Sequence, residues 1–125
     1  MGRIITEVSV TNRHNAVRRI TISVMVETGA THLVLPLAMK DQLGDFFSQR
    51  EATARIASGK TVTGLVCGPA MLELQGFPTA WGEVMFLEME EEPQPLLGYL
   101  PLEHFGAAVD MLGHRLVHVQ SLDLF

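Results

Sequence analysis

Glu27-Thr28-Gly29-Ala30 is the segment of this 125-residue chain whose residue types best suit chemistry. An apolar stretch, Val24-Met25-Val26, leads into it and predicts a half-buried strand that ends on a tight, glycine-permitted loop. The loop carries one carboxylate, Glu27, which is half of an acid/base pair. Because the sequence holds one such loop, a complete pair requires two chains.

A second segment, residues 95–110, contains an apolar pair and a glycine, Leu96-Leu97-Gly98, before a predicted short helix and a strand that ends at Asp110. Glu27 and Gly98 lie 71 positions apart. Both segments, in this order and at this spacing, resemble the two signatures of the retroviral-like (retropepsin-type) aspartic proteases, in their bacterial single-domain form. The resemblance covers roughly residues 4–119. The chain departs from the family at one position, since the family's aspartate is Glu27 here.

The resemblance implies a homodimeric endopeptidase that hydrolyses peptide bonds with a water held between two symmetry-related carboxylates. One carboxylate would take a proton from the water, while its protonated partner would hydrogen-bond to the carbonyl oxygen. The substrate would be a peptide or protein, the partner a second copy of the chain, and neither a metal nor an organic cofactor would be needed. The residues implied are catalytic Glu27, Thr28 and Gly29, and substrate-binding Ala30, Ile56, Ala57, Ser58, Gly59 and Lys60. The last five lie on a predicted hairpin at the position of the family's flap, and an ordinary surface hairpin stays open as the other interpretation.

Glutamate keeps the charge of the family's aspartate but adds a methylene, which moves the carboxyl group by about 1.5 Å on a fixed backbone. A displacement of about 1 Å in a preorganised site can lower a rate by about a hundredfold. Three interpretations therefore stay open. The chain could be a peptidase, weak or fully active, or a catalytically silent, dimeric peptide-binding or scaffolding homologue of the same fold. It could also be an unrelated β protein with Glu-Thr-Gly on a turn.

The composition argues against several other classes of function. A net charge of −5 with nine Lys and Arg disfavours nucleic acid as a partner. An apolar fraction of 47% fits a subunit that buries part of its surface in a partner. Cys67 is the single cysteine, so no internal disulfide can form and a reducing, cytoplasmic location is expected. No apolar run is long enough to predict a membrane span, and residues 1–10 lack the pattern of a secretory leader.

Alternation of apolar and polar residues dominates the chain and predicts one mostly-β domain, residues 1–125. Strands are predicted at 4–10, 20–26, 33–35, 54–57, 61–66, 71–74, 77–87, 107–110 and 116–119. Short helices are predicted at 37–43 and 101–105, and turns at 12–15, 58–60, 75–76 and 112–114. With the resemblance, the fold class is a mostly-β, retropepsin-like closed acid-protease barrel with one or two short helices.

The other candidates for chemistry have structural explanations. The five histidines, at positions 14, 32, 104, 114 and 118, do not cluster, so no metal site is predicted. His32 is expected to be a structural hydrogen bonder near the loop, Asp110 an acid that bonds its own turn, and Cys67 a buried packing residue. Trp81 could line a pocket or close one end of the barrel, and both interpretations stay open.

Overall fold

The computed structural model describes residues 3–55, 58–89 and 94–119. Its strands in chain order are β1 (Ile5–Asn12), β2 (Arg19–Val26), β3 (Leu33–Pro36), β4 (Ser48–Arg55), β5 (Thr61–Glu73), β6 (Ala80–Leu87), β7 (Leu96–Leu97), β8 (Ala107–Asp110) and β9 (Arg115–His118). Two short helices, α1 (Lys40–Leu43) and α2 (Tyr99–Phe105), and a 3-10 turn at Leu37–Met39 complete the described secondary structure. The prediction of a mostly-β chain with short helices is confirmed.

Seven strands form one sheet in the order β1-β2-β7-β3-β6-β5-β4. Because β5 also pairs with β1, six of them form a ring of hydrogen-bonded neighbours, and β4 extends from β5 outside that ring. Within the described residues, β8 and β9 form a separate antiparallel pair. The topology makes β2, β7 and β3 consecutive neighbours, so the Glu27 loop, which joins β2 to β3, lies beside the second signature at β7.

The alternating residues of β1 and β2 form one side of the core. Val8, Val10 and Val24 are fully buried, as the period of two predicts. Phe86 on β6 and Phe105 on α2 are the largest fully buried side chains. Burial of a side chain of this size stabilises the fold by about 1.5–3 kcal/mol. The same core therefore holds α2, which follows Gly98, against the sheet.

Both predicted helices are present. The first comprises the 3-10 turn and α1, and it ends at Gly44. α2 begins at Tyr99, two residues before the predicted start, and ends at Gly106. Gly106 adopts φ 69°, a left-handed conformation that favours glycine and stops the helix.

Several strand boundaries differ from the prediction for identifiable reasons. β4 begins at Ser48, whereas the predicted strand begins at 54. The earlier start was not predicted because the first four residues of β4 are all exposed and show no apolar alternation. β5 is one strand where two were predicted, since it passes through Gly68-Pro69 with a register shift between Cys67 and Ala70. β6 begins at Ala80 rather than at 77. β7 has only two residues and was not predicted as a strand.

Asn12 is the largest departure among the predicted turns. It ends β1 and is fully buried, whereas the sequence placed it in the turn at 12–15. Its Nδ2 donates to the carbonyl oxygens of Leu43 and Asp45, each at 2.7 Å, and its Oδ1 accepts the backbone N–H of His14 at 2.9 Å. Asn12 thus ties the end of β1 to the last residue of α1 and to the chain just after it.

Candidate active site

The loop from Glu27 to His32 begins where β2 ends, and its carboxylate points to its own backbone. Glu27 is exposed, and its Oε1 accepts the backbone N–H of Gly29 at 2.9 Å. The backbone N–H of Glu27 donates to Leu97 O at 2.9 Å, and Ala30 N–H donates to Glu27 O at 3.1 Å. The added methylene therefore does not prevent the carboxylate from reaching the loop amide. The loop is a tight turn with an oriented, solvent-accessible acid.

Three successive backbone hydrogen bonds hold the back of this loop. Gly98 N–H donates to His32 O at 2.9 Å, Tyr99 N–H to Ala30 O at 2.9 Å, and Leu100 N–H to Thr31 O at 3.0 Å. A Cβ at Gly98 would lie 2.5 Å from His32 O and 2.6 Å from Ala30 O. Only glycine allows the chain to approach the loop this closely. The segment that begins at Gly98 therefore supports the Glu27 loop through backbone contact.

The residues predicted as catalytic lie together, and those predicted to bind substrate divide into two groups. Glu27, Thr28 and Gly29 are all exposed on the loop, and Ala30 is half-buried beside them. Ser58, Gly59 and Lys60 form the exposed tip between β4 and β5, where Lys60 N–H donates to Ser58 Oγ at 3.4 Å. Ile56 and Ala57 lie outside the described residues. The tip thus belongs to a different element from the loop.

A polar network that the sequence did not predict begins at the end of the loop. His32 Nδ1 lies 2.7 Å from Thr31 Oγ1, and His32 Nε2 lies 3.6 Å from Glu83 Oε1 on β6. Glu83 in turn accepts two hydrogen bonds from Arg50 on β4, at 2.6 and 3.3 Å. The Arg50 guanidinium holds the pKa of Glu83 below its ordinary range, against an opposing effect of burial. The sequence does not show which partner a charged residue on a strand will contact. Here the register of β4 and β6 against β5 brings Arg50 and Glu83 together.

A small cavity of about 170 Å³ adjoins this network and is lined by His32, Leu72, Gly82, Glu83, Leu100, Pro101 and His104. His32 and His104 both line this cavity because β3 and α2 both pack against β6, which the sequence spacing does not reveal. Among the described residues, no group of three or more His, Cys, Asp or Glu side chains could hold a metal ion.

The predicted roles of Asp110 and Cys67 are confirmed. Asp110 Oδ1 accepts the N–H groups of Leu112 and Gly113 at 3.1 and 2.9 Å, and its Oδ2 accepts Arg115 Nε–H at 3.2 Å. These bonds, first that from Gly113, lower the pKa of Asp110. Cys67 is fully buried, and burial raises the pKa of its thiol.

Trp81 is not among the residues that line the cavity beside His32. It remains 48% exposed, with the Arg13 guanidinium 5.5 Å from its ring centroid. The ring therefore serves as an outer-face contact for a cation.

Comparison with known proteins supports the architecture. No protein-family model matches the chain, and no curated protein sequence matches it. Among solved structures, the chain is similar to EIAV protease complexed with the inhibitor HBY-793. The TM-score is 0.65 at 20% sequence identity, and the match covers 88% of this chain and 94% of that chain.

The chain has a retropepsin-like fold. In this fold the Glu27 loop and the Gly98 segment meet as the sequence resemblance implies, and the β4–β5 hairpin is present. The likeness extends over nearly the whole of both chains, so the fold is not restricted to a shared fragment. In the part of the chain that the structure describes, no helix is long and apolar enough to cross a membrane.

Proposed function

We propose that this chain is an aspartic-type endopeptidase in which two copies each contribute Glu27 to one water-activating pair. The observation that supports the proposal is the Glu27 loop itself. Its carboxylate is exposed, is oriented by Gly29 N–H, and lies on a backbone fixed from behind at Gly98. Such rigid support is what a preorganised catalytic group requires.

The chemistry follows from bringing two such carboxylates together. Two carboxylates in close contact cannot both be ionised cheaply, so the pair keeps one proton. The ionised Glu27 takes a proton from a water molecule as the water oxygen bonds to the peptide carbonyl carbon. The protonated Glu27 of the second copy donates its proton toward the carbonyl oxygen, giving a tetrahedral diol. Collapse of the diol then breaks the C–N bond: the first Glu27 gives the proton it took from water to the amine nitrogen, and one diol hydroxyl returns its proton to the second Glu27. The products are a carboxylic acid and an amine, and the pair again holds one proton.

The other predicted residues have supporting roles in this proposal. Thr28 would hydrogen-bond to the loop of the second copy and keep the two carboxylates level. Ala30 is small enough to leave room for the substrate backbone. The hairpin from Ile56 to Lys60 would cover an extended peptide, which would bind through main-chain hydrogen bonds with side chains in alternating pockets.

Variants at position 27 test the proposal. In a peptide-library assay with the purified native chain, we expect measurable cleavage that Glu27→Gln lowers by about a thousandfold or more. Glu27→Asp restores the family's acid and should raise the rate, by up to about a hundredfold if the methylene displaces the carboxyl group. Glu7→Gln removes an exposed carboxylate on β1 and serves as the matched control that leaves cleavage unchanged.

The same variants separate the peptidase from the silent homologue. If neither the native chain nor Glu27→Asp cleaves any peptide while both bind peptides, the chain is a peptide-binding module of the same fold. Cleavage that survives Glu27→Gln contradicts the assignment of Glu27 and with it the proposed mechanism.

A further inference from the structure

The imidazole of His32 joins the loop that carries Glu27 to β6, and Glu83 continues the connection to β4. Thr31 and His32 are the last residues of the loop before β3, and their backbone carbonyls accept hydrogen bonds from Leu100 and Gly98. The side chain of His32 then continues the connection outward, to Thr31 Oγ1 at 2.7 Å and Glu83 Oε1 at 3.6 Å. The loop is thereby fastened by side chains as well as by backbone.

Both contacts suit one tautomer of the ring. An ionised carboxylate accepts hydrogen bonds and donates none, so a proton on Nε2 matches the side of the ring that faces Glu83. In that tautomer Nδ1 is an acceptor for the Thr31 hydroxyl. His32 thereby links Thr31, inside the loop, to Glu83 on β6.

Apolar packing alone does not hold the ring in place. One side of His32 borders the cavity of about 170 Å³, and the adjacent strand position is Gly82, which has no side chain to fill it. The His32 side chain is 16% exposed, so solvent does not dominate its surroundings. The orientation of the imidazole consequently depends on its polar partners, Thr31 and Glu83.

Arg50 makes Glu83 a fixed anchor. The guanidinium holds both carboxylate oxygens in a fork, a geometry that restricts the side chain more than a single bond does. Arg50 lies on β4, whose far end at Arg55 leads into the hairpin tip at 58–60. The connection Thr31–His32–Glu83–Arg50 thus runs from the Glu27 loop to the strand of the proposed flap.

We propose that His32 is a positioning residue for Glu27, and that the Glu83–Arg50 pair sets its orientation. This inference rests on the proposed function for its effect on cleavage. His32 touches no reacting atom; it fixes the backbone that presents Glu27 and Gly29.

The titratable groups around His32 belong to several elements. Glu83 faces it from β6 with Arg50 of β4 behind, and His104 of α2 faces it across the cavity. Cys67 of β5 responds to the charge of Glu83. Because Arg50 lowers the pKa of Glu83, that carboxylate is ionised throughout the range in which an imidazole gains its proton.

The test compares His32→Ala, His32→Gln, Glu83→Gln and the control Glu73→Gln. Glu73 is also paired with an arginine, Arg19 at 3.5 Å, on an exposed part of the sheet away from the loop. The first readout is the backbone amide NMR resonances of Gly29 and Ala30 between pH 5 and pH 8, which requires no catalysis. The second is kcat and KM for a cleaved peptide over the same range of pH.

We expect His32→Ala and Glu83→Gln to move the Gly29 and Ala30 resonances and to lower kcat by about tenfold to a hundredfold with little change in KM. His32→Gln keeps a donor that can reach Glu83, so it should restore most of the kcat that His32→Ala loses. Glu73→Gln should change neither readout. Far-UV circular dichroism confirms that each variant is folded.

The outcomes separate this inference from the proposed function. If the Gly29 and Ala30 resonances in His32→Ala match those of the native chain, the positioning role is wrong whatever the activity. It is equally wrong if Glu73→Gln moves them as much as Glu83→Gln. If no peptide is cleaved by the native chain or by Glu27→Asp, the proposed hydrolysis fails, and the resonances alone decide the role of His32.

Discussion

Gly98 shows how one residue without a side chain can determine the geometry of the loop. The backbone carbonyls of Ala30 and His32 occupy the space that any Cβ at this position would need, at 2.6 and 2.5 Å. Neither carbonyl can withdraw, because Tyr99 N–H and Gly98 N–H bind them. The contact therefore positions the backbone of the Glu27 loop before any side chain contributes.

We predict that Gly98→Ala lowers the free energy of unfolding by about 1–3 kcal/mol or more, since backbone rather than flexible side chains must move. Gly82→Ala is the matched control. Its new methyl would lie 3.8 Å from His104 Nδ1, an ordinary contact beside a cavity. We expect it to change stability by less than about 0.5 kcal/mol. Urea unfolding of both variants is the measurement, and equal losses would contradict the proposed clash.

At the scale of elements, buried polar contacts join segments that the ladder of the sheet does not connect. Asn12 is the example, since its side chain satisfies one carbonyl at the end of α1, one carbonyl just after α1 and one amide of its own turn. A buried acceptor that loses its donor costs about 1–3 kcal/mol.

Asn12→Ala should therefore destabilise the chain by about 2–4 kcal/mol, because two carbonyl oxygens lose their donor together. Asn15→Ala, at an exposed position of the same turn, should change stability by less than about 0.5 kcal/mol. Denaturant unfolding checks both values. A small effect of Asn12→Ala would mean that water replaces the amide without penalty.

The β8–β9 hairpin should show a pH dependence through Asp110. Its pKa is lowered below the ordinary value of 3.8, so the folded state binds the proton less readily than the unfolded state. The stabilisation is thus complete above pH 3.8 and is lost as the pH falls through the lower folded pKa.

We expect the unfolding midpoint in urea of the native chain to exceed that of Asp110→Asn between pH 5 and 7, and this difference to shrink below about pH 4. Glu103→Gln, which removes an exposed carboxylate on α2, is the control. A difference between native and Asp110→Asn that stays constant down to pH 3 would show that the turn does not depend on the charge.

The elements also show what the sequence could and could not predict. Where one face of a strand is buried, as in β1 and β2, the alternation of residues predicted the strand to within two residues at each end. The first half of β4 was not predicted because its residues are all exposed. β7 was not predicted because a strand of two residues shows no alternation. The Glu27 loop was visible from local residue types. The His32–Glu83–Arg50 network was not, because it joins residues from three elements through a register that no local pattern encodes.

At the scale of the whole molecule, each chain supplies one Glu27 loop, whereas the proposed site needs two Glu27 carboxylates. The exposed apolar side chains within the described residues include Phe47, Trp81, Met111 and Leu112, with Leu112 95% exposed. Surface of this kind is available for contact with a second chain, in keeping with the apolar composition.

If two chains form each site, adding Glu27→Gln chains to a fixed amount of native chain should lower cleavage. At equal amounts, random pairing leaves about half of the native chains in fully native pairs, so the rate should fall to about half. Glu7→Gln chains added in the same way should not lower it. A rate that ignores the added Glu27→Gln chains would show that one chain is sufficient.

Because the only cysteine, Cys67, is buried, the folded protein presents no thiol to reagents in solution. Cys67 has no exposed surface in the folded chain, and its pKa is raised, so reagents that need a thiolate will react with it mainly when the structure opens. The native chain thus carries its own reporter of global opening. A cysteine engineered at Ser58 could be labelled selectively in the folded protein, so that the movement of the hairpin tip could be followed without first removing a native residue.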